Sequence, residues 1–141
     1  MNARRLIGFA AAAIALPLHA QNAPAPDAAP PAARSFLGKD EVLQTYVGRA
    51  QTIQWSSGVQ TQWDVREGGN LFYNNRALGN VGGNGSGTWE IKDNGAFCWK
   101  WNRVESGNPG CLFYARENGK TLLAVNQRPD GRIAGEVLSL K

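Results

Sequence analysis

Residues 87–111 read GTWEIKDNGAFCWKWNRVESGNPGC, a stretch that holds three of the five tryptophans and both cysteines of the chain. Within it Phe97, Trp99 and Trp101 alternate with Cys98, Lys100 and Asn102, so one face is aromatic and the other mostly polar. Alternation with a period of two is the mark of a strand that buries one face. Upstream, Trp89 and Ile91 share a face, Glu90 and Lys92 take the other, and Asp93-Asn94-Gly95 separates the two runs. Asn-Gly pairs supply the positive φ angles of tight hairpin turns, so the stretch reads as two antiparallel strands.

The same pattern extends in both directions. Strands are expected at residues 49–55, 59–66, 70–74, 87–92, 96–103, 111–117, 121–127 and 133–140. Ser57-Gly58, Gly68-Gly69, Asn94-Gly95, Asn118-Gly119 and Asp130-Gly131 punctuate them. Ile53 with Trp55, Trp63 with Val65, and Leu123 with Val125 repeat the period of two. The expectation is an all-β fold: a small antiparallel meander of about eight strands, closed or strongly curled into a barrel, because closure removes exposed edges. One short helix precedes it, since Val42, Leu43, Tyr46 and Val47 recur at spacings of three and four, with Asp40 and Glu41 at the positive end of the helix dipole.

Three domain segments are expected. Residues 1–20 combine Arg4 and Arg5, a thirteen-residue apolar run over 6–18, and a small residue at Ala20, which is the layout of a secretory signal peptide. Thirteen residues fall short of the roughly twenty needed to span a bilayer, so no membrane span is expected. Residues 21–34, QNAPAPDAAPPAAR, lack large apolar side chains and read as an extended Pro/Ala-rich linker. Residues 35–141 form the β-barrel-like domain. This organisation implies a periplasmic or secreted protein of monomer size.

The full chain carries 15 Lys and Arg against 11 Asp and Glu; without the two arginines of residues 1–20 the balance is 13 against 11, or +2. Nucleic acid calls for a clustered basic face, and the cations here are scattered among acids. Two cysteines in an exported chain point to one disulfide, Cys98 with Cys111. Closing a loop of about fifteen residues is worth about 3 kcal/mol in the chain-entropy account, so the bond reads as structural.

The aromatic residues leave two readings open. Trp55, Trp63, Tyr73, Trp89, Trp99 and Trp101 either fill a narrow barrel as core, or line a cup for a small hydrophobic or ring-shaped ligand. A native protein with such a cup changes its tryptophan emission when hydrophobic probes bind.

Gly87-Thr88-Trp89, Asp93-Asn94-Gly95, Cys98-Trp99-Lys100-Trp101 and Cys111 together resemble a group of small secreted bacterial proteins, domain-of-unknown-function family 995. The resemblance covers about residues 46–140 and implies a secreted β-domain; it carries no catalytic residue with it. The Gly-x-Trp element is also similar to one found in lipocalin and avidin barrels.

Catalytic chemistry is constrained by what is missing. The only histidine is His19, inside residues 1–20, so triads and histidine metal sites have no imidazole in the mature chain. No cofactor and no metal are expected. Carboxylates remain: Asp64, Glu67, Glu90, Asp93, Glu105, Glu117, Asp130 and Glu136, a pair of which would be needed for a glycosidase. Most flank turns or alternate outward, so an enzyme is not expected. The run GNVGGNGSG at 79–87 lacks the Lys-Ser/Thr of a phosphate loop and reads as a hairpin connection. Asp93-Asn94-Gly95 and Asp130-Gly131 read as turns rather than calcium loops. The expected function is non-catalytic binding of a small hydrophobic ligand or an envelope component. The alternative is a protein–protein module, an inhibitor or envelope-assembly factor, presenting loops 79–87 and 102–110.

Overall fold

Eight consecutive strands follow one another along the chain as an antiparallel meander, each bonded to the next, and the last returns to pair with the first. The computed structural model describes residues 33–79, 82–103 and 109–141. The expected signal peptide and nearly all of the expected linker lie outside the described residues. The elements are β1 (Ser35–Phe36), α1 (Lys39–Tyr46), β2 (Arg49–Trp55), β3 (Gln60–Arg66), β4 (Asn70–Asn74), β5 (Asn84–Ile91), β6 (Ala96–Trp101), β7 (Pro109–Glu117), β8 (Lys120–Ala124) and β9 (Ile133–Leu140). A single 3-10 turn at Arg76–Leu78 follows β4. Pairing of β9 with β2, from Gln51 opposite Leu140 to Trp55 opposite Gly135, closes the barrel. Closure leaves these strands without a long free edge.

Turn chemistry does much of this work. Asn118 and Gly119 both have positive φ, 51° and 75°, the requirement of a two-residue turn whose twist matches the flanking strands β7 and β8. Between β5 and β6 only Gly95 is left-handed, at 83°, and its position close against the Leu37 carbonyl excludes a side chain.

Strand β1 was not anticipated. Its two residues pair with Arg116 and Ala115 of β7, past the point where β6 ends opposite Phe113, so it extends the edge that β6 leaves open. Arg34, at the end of the expected linker, is tied to the barrel: its Nε meets Glu117 at 2.8 Å and its Nη1 donates to the Gly131 carbonyl at 2.7 Å. Strand β5 also begins earlier than expected, at Asn84 instead of Gly87, because glycines that read as a loop are strand residues there.

Helix α1 covers one end of the barrel. Val42 and Tyr46, one turn apart, are fully buried, whereas Leu43 is exposed. The Tyr46 ring stacks on Tyr114 of β7 with centroids 4.0 Å apart, and the Tyr114 hydroxyl and the Gln51 side-chain amide bond to each other inside the barrel. Ile53, Val65, Leu71, Phe97 and Leu123 fill the interior beside them.

Burial at this end pushes both phenols, Tyr46 and Tyr114, above the ordinary value of 10.0. The unfolded chain releases their protons near that ordinary value while the folded chain keeps them, so stability is intact below about pH 10 and falls as pH rises beyond it. Tyr114 alone gives a loss approaching about 1.4 kcal/mol per pH unit, and Tyr114→Phe should reduce the slope by about that amount. Urea unfolding at a series of alkaline pH values measures it; a slope unchanged by Tyr114→Phe would contradict the buried phenol.

Candidate functional site: an aromatic cup at the uncovered end

The barrel end opposite α1 is built from the last residues of β2, β4 and β6 and the first of β3. Inward positions there are Trp55 on β2, Thr61 and Trp63 on β3, Tyr73 on β4, and Trp99 and Trp101 on β6. Trp63 is the hub: its ring lies 5.4 Å from Trp55, 5.0 Å from Trp99, 5.6 Å from Trp101 and 6.2 Å from Phe97, in tilted or edge-on arrangements. Tyr73 meets Trp101 edge-on at 4.9 Å. These are favoured aromatic geometries, and they hold the rings in place.

Room for so many rings comes from glycine. Tyr73 faces Gly85 across β4 and β5, Trp101 faces Gly87 across β5 and β6, Trp99 faces Gly110 across β6 and β7, and Trp55 faces Gly135 across β2 and β9. A Cβ at Gly85, Gly87 or Gly110 would run into the ring opposite it. Glycine in these strands is thus a place kept for the neighbouring ring.

The rings do not close the end completely. Trp63 and Trp101 are only 4% and 5% exposed, but above them a cavity of about 370 Å³ remains, walled by Trp55, Trp63, Tyr73, Trp99 and Trp101. Among the described residues Ser57, Val59, Thr61 and Asn75 also line it, and none of these nine is charged. The Trp55 Nε1 donates to Thr61 Oγ1 at 2.8 Å, which fixes the ring at the rim. The rings are packed core below and the wall of an open cavity above.

Five of the six aromatic residues singled out from sequence come together here. Trp89 does not join them. It lies beside the β3–β4 turn, its Nε1 donating to the Arg66 carbonyl at 2.9 Å and its ring stacked on Phe97 at 5.8 Å. Alternation gives the face of a strand and not where a side chain leans, and Trp89, directly opposite Trp99, leans towards the β3–β4 turn. Thr61 was legible, since it shares the parity of Trp63 and Val65. Asn75, in the connection after β4, carries no periodic signal.

Comparison with known proteins adds one finding. The family described as Protein of unknown function (DUF995) matches residues 12–132. The chain belongs to this family. Neither a search of curated proteins nor one of solved structures finds a match. Membership of DUF995 agrees with the residues that suggested it, and the closed eight-stranded meander is the architecture that a lipocalin-like resemblance implies.

Other features lie away from the cup. Cys98 and Cys111 are directly opposed on β6 and β7 and form the disulfide, with Cα atoms 4.0 Å apart. Carboxylates pair with cations: Asp64 with Arg66, Glu90 with Lys92, Asp93 with Lys39, Glu117 with Arg34, and Glu136 with Lys120. None of these lines the cup, and Glu105 lies outside the described residues. A larger hollow of about 500 Å³ runs along the outer face of β3, β4 and β5 past Gln62, Asp64, Arg66, Phe72 and Asn84. Its carboxylate and guanidinium already satisfy each other at 2.8 Å, and Arg66 covers the Phe72 ring at 4.6 Å. Loop 79–87 loses its last residues to β5, and 80–81 and 104–108 of the two loops considered for partner binding lie outside the described residues. Among the described residues no helix is long and apolar enough to cross a membrane, and no three His, Cys, Asp or Glu side chains are grouped to hold a metal ion.

Proposed function

We propose that this DUF995 chain is an exported, non-catalytic binding protein that holds a small hydrophobic molecule in the aromatic cup, in the periplasm or outside the cell. The observation that carries the reading is the cavity of about 370 Å³ walled by Trp55, Trp63, Tyr73, Trp99 and Trp101 at the barrel end that α1 leaves uncovered, with no charged side chain among its described lining residues. Its volume falls in the range of small-molecule sites, which are mostly apolar with a few placed polar groups. The disulfide supports an oxidising compartment, and so does the signal-like character of residues 1–20.

Titration with N-phenyl-1-naphthylamine, a neutral fluorescent hydrophobe, tests the proposal. Saturable 1:1 enhancement of probe emission with quenching of tryptophan is expected. Trp55→Ala, which removes one wall at the rim, should weaken binding about tenfold, the equivalent of about 1.4 kcal/mol. Tryptophan emission indifferent to this probe and to a wider set of apolar ring compounds would sink the reading.

A further inference from the structure

The outer face of β3, β4 and β5 is composed against its own secondary structure. Inward positions on these strands are Trp63, Tyr73 and Gly85; their outward neighbours are Gln62 and Asp64, Phe72 and Asn74, and Asn84 and Ser86. Asparagine and aspartate are depleted in strands, and a solvated face asks only for polarity, which threonine supplies at better propensity. A face that gives up propensity without a structural return is where function is expected.

Register sets these side chains in two rows across the strands. Gln62 lies opposite Asn74 and Asn74 opposite Asn84; in the next row Asp64 lies opposite Phe72 and Phe72 opposite Ser86. Over them runs the hollow of about 500 Å³, and a second of about 480 Å³ adjoins it at Asn84 and Ser86 and continues to Asn102 and Arg103. Asn102 Nδ2 donates to Ser86 Oγ at 3.1 Å, which orients the hydroxyl and leaves its proton for another acceptor. The ion pair of Asp64 and Arg66 joins Oδ2 to Nε, so Oδ1 and the two Nη groups stand outside that bond. Phe72, beneath the Arg66 guanidinium, keeps 36% of its surface exposed.

We propose that this face is a second site, separate from the cup, that binds a neutral oligosaccharide. Sugar hydroxyls both donate and accept, and side-chain amides, a carboxylate and a guanidinium set across a sheet meet adjacent hydroxyls in pairs. The exposed ring of Phe72 takes the apolar C–H face of a sugar. A protein partner calls for a desolvated apolar centre, whereas among the described residues of this face Phe72 is the one exposed large apolar side chain. Asp64 and Arg66 cancel in charge, which suits a neutral ligand. From β3 to β6 the face spans three strand spacings, about 14 Å, length for about two or three sugar rings.

Titration of the ¹⁵N-labelled protein with cellotetraose, maltotetraose and mannotetraose tests the proposal. The side-chain amide signals of Gln62, Asn74 and Asn84 should shift with at least one of these sugars and saturate at one equivalent, while the indole signals of Trp55 and Trp101 stay in place. Phe72→Ala should weaken that binding about tenfold. Asn84→Val should weaken it severalfold without lowering the urea midpoint, because valine suits a strand better than asparagine. Both variants should hold N-phenyl-1-naphthylamine within about twofold of wild type, so the two sites stand or fall separately. No shift with any of the three sugars overturns the proposal, as does sugar binding that Phe72→Ala leaves unchanged. Indole shifts without amide shifts would put the sugar in the cup, and tighter binding of tetragalacturonate than of every neutral sugar would make the ligand an acid; either result also overturns it.

Discussion

Trp63→Ala lowers the stability of the folded chain by about 3–5 kcal/mol, the cost of a large aromatic removed from a core that cannot collapse into the space. Trp63 is 4% exposed and touches four other aromatic rings, three of them on β6, so the truncation leaves a void in the middle of a closed barrel. The walls of that void are cross-bonded strands on both sides and have little freedom to move inward. The same change removes the floor of the cup, so binding of N-phenyl-1-naphthylamine should be lost along with the stability. Urea unfolding followed by far-UV circular dichroism measures the first effect. A loss below about 1 kcal/mol would mean that the rings are not packed as described.

Removal of the disulfide has a comparable effect by a different route. Cys98→Ala with Cys111→Ala should cost about 3 kcal/mol, chiefly by freeing the unfolded chain across the thirteen-residue separation of the two cysteines. The pair bridges β6 and β7, whereas the cup is formed by Trp99 and Trp101 on the other face of β6. Affinity for a cup ligand, measured well below the unfolding temperature, should therefore stay within about twofold of wild type, since sites without shared contacts behave independently. Dithiothreitol treatment of the wild type should reproduce both results. A large loss of binding with little loss of stability would give the disulfide a role in the site that its position does not suggest.

The strands were legible because each rests on a local rule. Phe97, Trp99 and Trp101 alternate with polar neighbours, and Asn118-Gly119 announces a turn whose angles both residues adopt. The cysteine pair followed from compartment and number, and its register is the one that places Cys98 opposite Cys111. Other features rest on long-range partners. Strand β1 exists only because β7 offers an edge where β6 stops, and two residues of sequence have no period to read. Gly85 looked like loop because a glycine within the run 79–87 gives no sign of the Tyr73 ring that requires its small size.

The division of the tryptophans into core and cup was beyond the reach of alternation for a similar reason. Trp89 and Trp99 are cross-strand neighbours with the same parity, yet one bonds to the Arg66 carbonyl near the β3–β4 turn and the other borders the cavity. Asn75 shows the limit most sharply: it lines the cavity from the connection after β4, where no period of two marks it.

The five tryptophans supply their own probe of where a ligand goes. In a ¹H–¹⁵N spectrum their indole N–H groups give separate signals, assignable by single Trp→Phe substitutions. On titration with N-phenyl-1-naphthylamine, the signals of Trp55, Trp63, Trp99 and Trp101 should shift together and saturate at one equivalent, while that of Trp89, bonded to the Arg66 carbonyl outside the cup, stays in place. A spectrum in which Trp89 moves and the other four do not, or in which none of the five responds, would contradict the assignment of the uncovered barrel end as the binding site.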